Sequence, residues 1–171
     1  MILTSPRDPR LVTIRRGGTL TDEDHHALAL WAATCAEHVL PFFEAERPDD
    51  PRPREAIRMA RAWVDGDVTM MQSRSAAFAA NAAARPLKGA AREAAYAAGQ
   101  AGAVPHVAAH ELGAAAYAIR AARAAAPEAD RDKAARKERQ WQRARLPKTV
   151  RALVLDDQRL RNEACWSLFD P

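Results

Sequence analysis

The sequence predicts an all-α fold: a compact bundle of about seven helices, with Ala-rich central helices, in a single domain, residues 1–171. The length lies within the roughly 100–200 residues typical of one domain. Alanine occupies about a quarter of the positions and only seven glycines occur, whereas a β-sandwich needs many Gly-rich turns. Apolar residues recur at helical spacing between proline and glycine breaks, which indicates amphipathic helices.

Residues 1–20 are expected to form a short extended N-terminal arm that packs on the bundle. Pro6 and Pro9 interrupt regular structure. The residues at 11–14 are a short β-prone run, and the Gly-Gly pair at 17–18 favours a turn. One short strand is therefore the alternative to a wholly extended arm.

The first three helices are separated by proline and glycine. Helix one begins after Thr21, an N-cap followed by three acidic residues that suit the positive end of the helix dipole. Pro41 should end or kink this helix. A rigid loop at 46–54 with three prolines leads into helix two, for which Gly66 is the expected C-cap, and helix three is expected at 68–85.

Four further helices are expected at 87–103, 105–126, 128–145 and 148–168, because prolines divide these segments. Alanine dominates helices three to five. Its small side chain lets helix axes approach toward the low end of the ~8–10 Å packing range. These helices should therefore form a tight central layer.

The few bulky side chains should contribute disproportionately to the core, because alanine buries little area per residue. Trp31, Trp63 and Phe78 are the expected anchors. If they are buried, we expect truncation of each to Ala to cost about 3–5 kcal/mol. Cys35 and Cys165 lie in apolar helical patterns, which indicates buried thiols rather than a disulfide or a metal site.

Two histidines form a pattern that resembles a ligand site. His106 and His110 are four residues apart, so their imidazoles would share one face of helix five. Such a pair holds Zn²⁺ only with a third or fourth ligand, and the zincin pattern is excluded because Val107 follows the first histidine. A hydrogen-bonded or interface pair is favoured over a metal site. His106, His110 and Glu111 are candidate ligand or partner contacts.

The loop before helix two offers a second candidate contact. The guanidinium forks of Arg52 and Arg54 suit a phosphate or carboxylate ligand. Internal pairing with the neighbouring acids Asp49 and Asp50 is favoured, because the prolines already make this loop rigid. Asp157 falls within the apolar stripe of helix seven, where a carboxylate must be paired, most simply with an arginine, as a structural clamp.

Segment 131–151 is strongly basic. It contains nine basic and two acidic residues, a net +7, whereas the whole chain carries +4. A solvated helix face is favoured, and such a face could also steer onto an acidic protein partner. Nucleic-acid binding is less favoured, because Trp141 is the one aromatic residue of the segment. The expected basic surface comprises Arg136, Lys137, Arg139 and Arg143.

No motif assigns an enzymatic reaction, a metal or a cofactor. The Gly-Gly pair at 17–18 lacks the Lys-Ser/Thr of a phosphate-binding loop, and neither a Gly-x-Ser-x-Gly elbow nor a pair of Glu-x-x-His motifs occurs. These observations favour a non-enzymatic protein. No apolar run reaches the ~20 residues of a membrane span, and the first residues lead directly into Pro6 and Arg7 without a secretory apolar region. We therefore expect a cytoplasmic protein that is not associated with membranes.

Seven segments of the chain form a recognisable combination: Ile14–Leu20, Trp31–Pro41, Asp50–Ile57, Arg61–Gly66, Ala98–Gln100, His106–Ala118 and Leu153–Gln158. Together they resemble the Imm-5-like putative immunity proteins, a family of small bacterial helical proteins, over nearly the whole chain. The resemblance implies an antidote that binds and blocks a cognate protein toxin, and it transfers no catalytic residue.

Three further hypotheses stay open. The first is a helical protein that binds a small ligand or a metal, or acts as an enzyme, through the two histidines His106 and His110 and the loop arginines Arg52 and Arg54. The second is nucleic-acid binding through 131–151. The third is a homodimer, because flat Ala-rich helix faces pack between chains as readily as within one chain.

Overall fold

A computed structural model describes residues 3 and 6–170 and confirms the all-α prediction. This part of the chain forms seven α-helices joined by loops and short 3-10 turns. The helices are α1 (Asp22–Glu44), α2 (Arg52–Val64), α3 (Met70–Ala84), α4 (Gly89–Ala103), α5 (Glu111–Ala125), α6 (Arg131–Ala144) and α7 (Arg151–Leu160).

Helix α4 lies at the centre and packs against α1, α2, α3 and α5, while α6 packs on the outside of α5. Small residues make this close packing possible. A Cβ added at Gly102 of α4 would lie 3.2 Å from the Cβ of Ala77 and 3.3 Å from the Cβ of Ala56. The predicted tight layer of Ala-rich helices is therefore present, and bulky side chains from α1 and α5 fill the remaining core. The largest are Trp31, Phe43, Leu28, Leu40, Leu112 and Ile119.

Local side-chain chemistry fixes the helix starts. Thr21 Oγ1 accepts a hydrogen bond from the Asp24 amide at 3.1 Å, so the predicted N-cap of α1 is confirmed. At the start of α3, Thr69 and Gln72 form a reciprocal capping box. Gly66 follows α2 with a φ of +81°, a left-handed conformation that few other residues adopt without strain.

Two helix ends differ from the prediction. Pro41 does not end α1, which continues to Glu44. This extra turn places the ring of Phe43 fully inside the core, and its burial favours continuing the helix past the proline. Helix α7 ends at Leu160 rather than 168, and Leu160 itself is 53% exposed.

The C-terminal tail turns back after α7 instead of extending the helix. Residues Glu163–Cys165 form a 3-10 turn, and Trp166 and Ser167 both have positive φ. The Asn162 side-chain carbonyl accepts a hydrogen bond from the Phe169 amide at 2.8 Å, which closes this turn. The turn buries Phe169 against the bundle.

The N-terminal arm contains 3-10 turns rather than a strand over residues 6–20. The turns are Pro9–Leu11 and Ile14–Arg16, and an isolated bridge joins Thr13 to Leu20. Asp8 caps the first turn by accepting from the Arg10 amide at 2.9 Å, a local bond that competes with extended structure. The part of the predicted extended arm at residues 1, 2, 4 and 5 lies outside the described residues.

Burial confirms the predicted cysteines and Trp31 but contradicts the prediction for Phe78. Cys35 and Cys165 are buried free thiols, as predicted. Trp31 is 2% exposed and Trp63 is half-buried. Phe78 is not a core anchor, because it lies on the outer face of α3 and is 55% exposed.

Candidate functional site

A surface cleft of about 500 Å³ lies between residues 7–16 and the body of the bundle. We call it the arm cleft. Its rim is cationic and its floor is partly apolar. The lining side chains that matter here are Arg7, Thr13, Arg15 and Arg16 of the arm, and His25, Trp63, Met70 and His106 of the body.

The arm is fixed on the bundle by both apolar and ionic contacts. Leu11 and Leu20 are each 3% exposed and pack into the core. Arg10 Nη2 lies 2.6 Å from Asp8 Oδ2 and 2.8 Å from Asp156 Oδ2 on α7. These contacts place the exposed arginines of the arm opposite the body of the bundle.

The guanidiniums at the arm cleft are only partly neutralised. Arg15 Nη2 pairs with Asp22 Oδ1 at 2.8 Å on an exposed surface. Arg7, Arg16 and the neighbouring Arg74 form no ion pair with any residue in the described ranges. The cleft therefore carries an excess of positive charge.

Two histidines of the cleft are held in environments that favour the neutral ring. His25 Nε2 donates a hydrogen bond to the Val104 carbonyl at 2.8 Å, and its ring centroid lies 4.8 Å from that of Trp63. Burial lowers the pKa of His25. Burial also lowers the pKa of His106, and the guanidiniums of Arg74, Arg16 and Arg7 lower it further in that order.

The predicted helical face shared by His106 and His110 is not formed. Helix α5 begins at Glu111, and Ala108–His110 form a 3-10 turn, because Val107 adopts an extended backbone conformation. His106 lines the arm cleft, whereas His110 Nδ1 donates to Gln100 Oε1 at 2.8 Å, as a hydrogen-bonded interior histidine. Within residues 3 and 6–170, no three His, Cys, Asp or Glu side chains come together in a group that could hold a metal ion.

The contact between His110 and Gln100 depends on a glycine in the next helix. A Cβ added at Gly113 would lie 2.3 Å from Gln100 Oε1, so a larger residue would displace the amide. Burial, and then the charge of His106, lower the pKa of His110 from its ordinary value to about 4. The folded protein therefore requires the neutral ring.

We expect the stabilising contribution of neutral His110 to disappear in mild acid. The unfolded chain takes up a proton near pH 6.5 and the folded chain only near pH 4, so stability present above pH 6.5 is lost as the pH falls to 4. The unfolding free energy of the wild type minus that of His110→Gln should fall by about 3 kcal/mol over this range. Urea denaturation at a series of pH values measures this difference in unfolding free energy. A difference that stays constant with pH would contradict the expectation.

A buried ionic cluster joins α5 to α7. Arg161 Nε donates to Asp157 Oδ1 at 2.6 Å, its Nη2 contacts Asp157 and lies 3.2 Å from Glu111 Oε2, and its Nη1 donates to the Ala109 carbonyl at 2.9 Å. Burial, and then the neighbouring Asp157 carboxylate, raise the pKa of Glu111 well above its ordinary value. The structural clamp predicted for Asp157 is confirmed. Glu111 is fully buried, so its assignment as a partner contact is wrong.

The arginines around the 46–54 loop are occupied by internal pairs. Arg52 pairs with Asp50 through two hydrogen bonds, of 2.8 Å and 2.5 Å, so the favoured internal pairing is found. Arg54 pairs with Glu44 rather than with an aspartate of the loop, at 2.6 Å and 2.9 Å. Each guanidinium fork already binds a carboxylate, which leaves these residues less available to an anionic ligand.

Helix α6 is less basic at its surface than its sequence suggests. Arg139 and Arg143 are wrongly assigned to the basic surface, because Arg139 is 8% exposed and Arg143 is half-buried. Arg139 Nη1 donates to the Leu168 carbonyl at 3.0 Å, and Arg143 Nη2 donates to the Phe169 carbonyl at 2.8 Å. Both side chains tether the C-terminal tail. The members of the predicted surface that are exposed are Arg136 and Lys137.

A polar and aromatic cluster between α1 and α6 was missed by sequence reasoning. His38 Nδ1 lies 2.8 Å from Oε2 of the buried Glu138, and the His38 and Trp141 rings stack with centroids 3.6 Å apart. Burial raises the pKa of Glu138, and Gln142 donates to its other oxygen at 3.0 Å. His38 and Glu138 are 100 residues apart in the chain, so no local spacing could reveal their contact.

The fold and these sites define a helical-bundle protein with a cationic surface cleft and polar clusters that join its helices. The chain belongs to the family of Imm-5 like putative immunity proteins, whose family model matches residues 18–149. No curated protein and no solved structure matches the chain. In the described part of the chain, none of the helices combines the length and the apolar character needed to cross a lipid bilayer.

Proposed function

We propose that this immunity protein neutralises a cognate protein toxin by binding it directly and covering its active surface. The observation that carries the proposal is the family match over residues 18–149. The fold is compatible with such a function, because a rigid, tightly packed bundle presents its surface side chains with little loss of conformational freedom on binding. The exposed cationic cleft supplies a surface on which charge complementarity could steer association.

Co-expression tests this function. Each protein encoded beside this chain in its genome is expressed from an inducible promoter, with or without the chain, and growth is followed. We expect one neighbour to arrest growth and the chain to restore it. Failure of the chain to relieve any neighbour that arrests growth would contradict the proposal.

A second measurement on the same pair separates binding from other routes to protection. Size-exclusion chromatography with light scattering should show a complex of toxin and chain, and the free chain should elute as a species of 18.7 kDa or of twice that mass. The doubled mass would support the homodimer hypothesis. Rescue of growth without any complex in solution would contradict neutralisation by binding.

A further inference from the structure

We infer that the arm cleft receives an acidic segment of the toxin, whose carboxylates pair with Arg7 and Arg16. This inference rests on the proposed function and identifies the surface that would bind the toxin. Arg7 and Arg16 line this cleft, which is large enough for several side chains, and neither forms an ion pair with any of the described residues. A guanidinium fork binds a carboxylate through two parallel hydrogen bonds.

The positive charge near the cleft affects the titration of His106. His106 lies in the cleft, and after burial the guanidiniums of Arg74, Arg16 and Arg7 lower its pKa further. The nearby carboxylate of Asp22 is already paired with Arg15. An incoming acidic group would therefore relieve a cationic repulsion that the free protein holds.

Arginines of helix α2, in contrast, are already paired with carboxylates of the same chain. Arg52, Arg54 and Arg58 each bind a carboxylate of the same chain, and Arg61 pairs with Glu37 at 2.7 Å. Those forks would have to exchange one carboxylate for another, with little net gain. The arm cleft offers guanidiniums that need not break an existing pair.

The lining favours a protein segment over a nucleic acid. Trp63 is the large aromatic side chain of the cleft, but the rings of His25 and His26 both lie with centroids 4.8 Å from it. It is therefore not free to act as a platform for a nucleobase, as single-strand binding requires. Met70 and Pro105 add apolar surface that suits the aliphatic parts of a peptide.

A matched pair of double variants tests the inference. Arg7→Glu with Arg16→Glu reverses two charges at the cleft, and Arg136→Glu with Lys137→Glu makes the same change in net charge on α6; all four side chains are exposed. Thermal melting verifies that both proteins fold. The probe is a glutamate hexamer, titrated at low salt by calorimetry and by NMR of the His106 ring.

We expect the hexamer to shift the His106 ring signals and raise the pKa of His106. Affinity should fall about tenfold in the cleft variant, which corresponds to the loss of a few exposed charge pairs, and change little in the α6 variant. Equal losses in the two variants, or no shift at His106, would overturn the inference. Tighter binding of single-stranded DNA or of inorganic phosphate than of the hexamer at the cleft would also overturn it.

The last measurement compares the affinities of the two double variants for the toxin itself. The cleft variant should bind the toxin at least about tenfold more weakly than the α6 variant does. If the wild type binds the toxin and the cleft variant binds it equally well, the inference fails and the proposed function stands. If the wild type binds no toxin, both fail.

Discussion

Replacing Arg161 with Met will lower the free energy of unfolding by about 3–5 kcal/mol, because it leaves Asp157 and Glu111 buried without their cation. Both carboxyl groups are at most 2% exposed, so water cannot take over the role of the guanidinium. For a chain of this size we expect the melting midpoint to fall by roughly 10 °C. Circular dichroism at neutral pH measures the change.

Two companion variants make this result specific to the cluster. Arg159→Met removes the same side-chain type two residues away, where it is 71% exposed and pairs with Asp156, and should leave the midpoint nearly unchanged. Adding Asp157→Leu to Arg161→Met should recover much of the loss, because it removes one of the two buried carboxyl groups that Arg161→Met leaves without a cation. An equal effect of Arg159→Met and Arg161→Met would contradict this interpretation of the cluster.

Truncating Trp31 to Ala will cost about 3–5 kcal/mol of unfolding free energy. The ring is 2% exposed, and its Nε1 donates to the Gln142 carbonyl at 3.0 Å, so the change creates a cavity and removes this hydrogen bond. Urea denaturation gives the value directly.

Phe78→Ala is the matched aromatic control. Phe78 is 55% exposed and lies beneath the Arg74 guanidinium at 5.0 Å, so its truncation should cost about 1 kcal/mol or less. The sequence suggested equal losses for these two residues. Equal losses in the experiment would mean that the outer face of α3 is covered by another surface in solution.

Elements with strong local signals were predictable from the sequence. The N-cap at Thr21 and the glycine at Gly66 act through neighbouring residues, so their positions follow from short-range chemistry. The pairing of Asp157 was also predictable, since a carboxylate on an apolar face must have a partner. Its partner Arg161 lies one helical turn away, within reach of a local argument.

Contacts that form only when distant segments meet were not predictable. The sequence predicts Arg139 to be a surface cation, because the local pattern does not show that the C-terminal tail packs against it and supplies the Leu168 carbonyl. The extended backbone at Val107 breaks the helix on which His106 and His110 were placed, and the helical spacing of the two histidines gave no sign of this break. The arm cleft likewise forms where Leu11, Leu20 and the Arg10–Asp156 pair hold the arm on the bundle.

The stoichiometry of inhibition tests the central claim most directly. Purified chain is titrated into a fixed amount of the purified toxin, and the residual toxin activity is measured after different incubation times. Neutralisation by binding predicts a linear fall to zero at one equivalent of chain, independent of time once the complex has formed. Progressive inactivation by a small fraction of an equivalent, or full toxin activity at a large excess of chain, would contradict it.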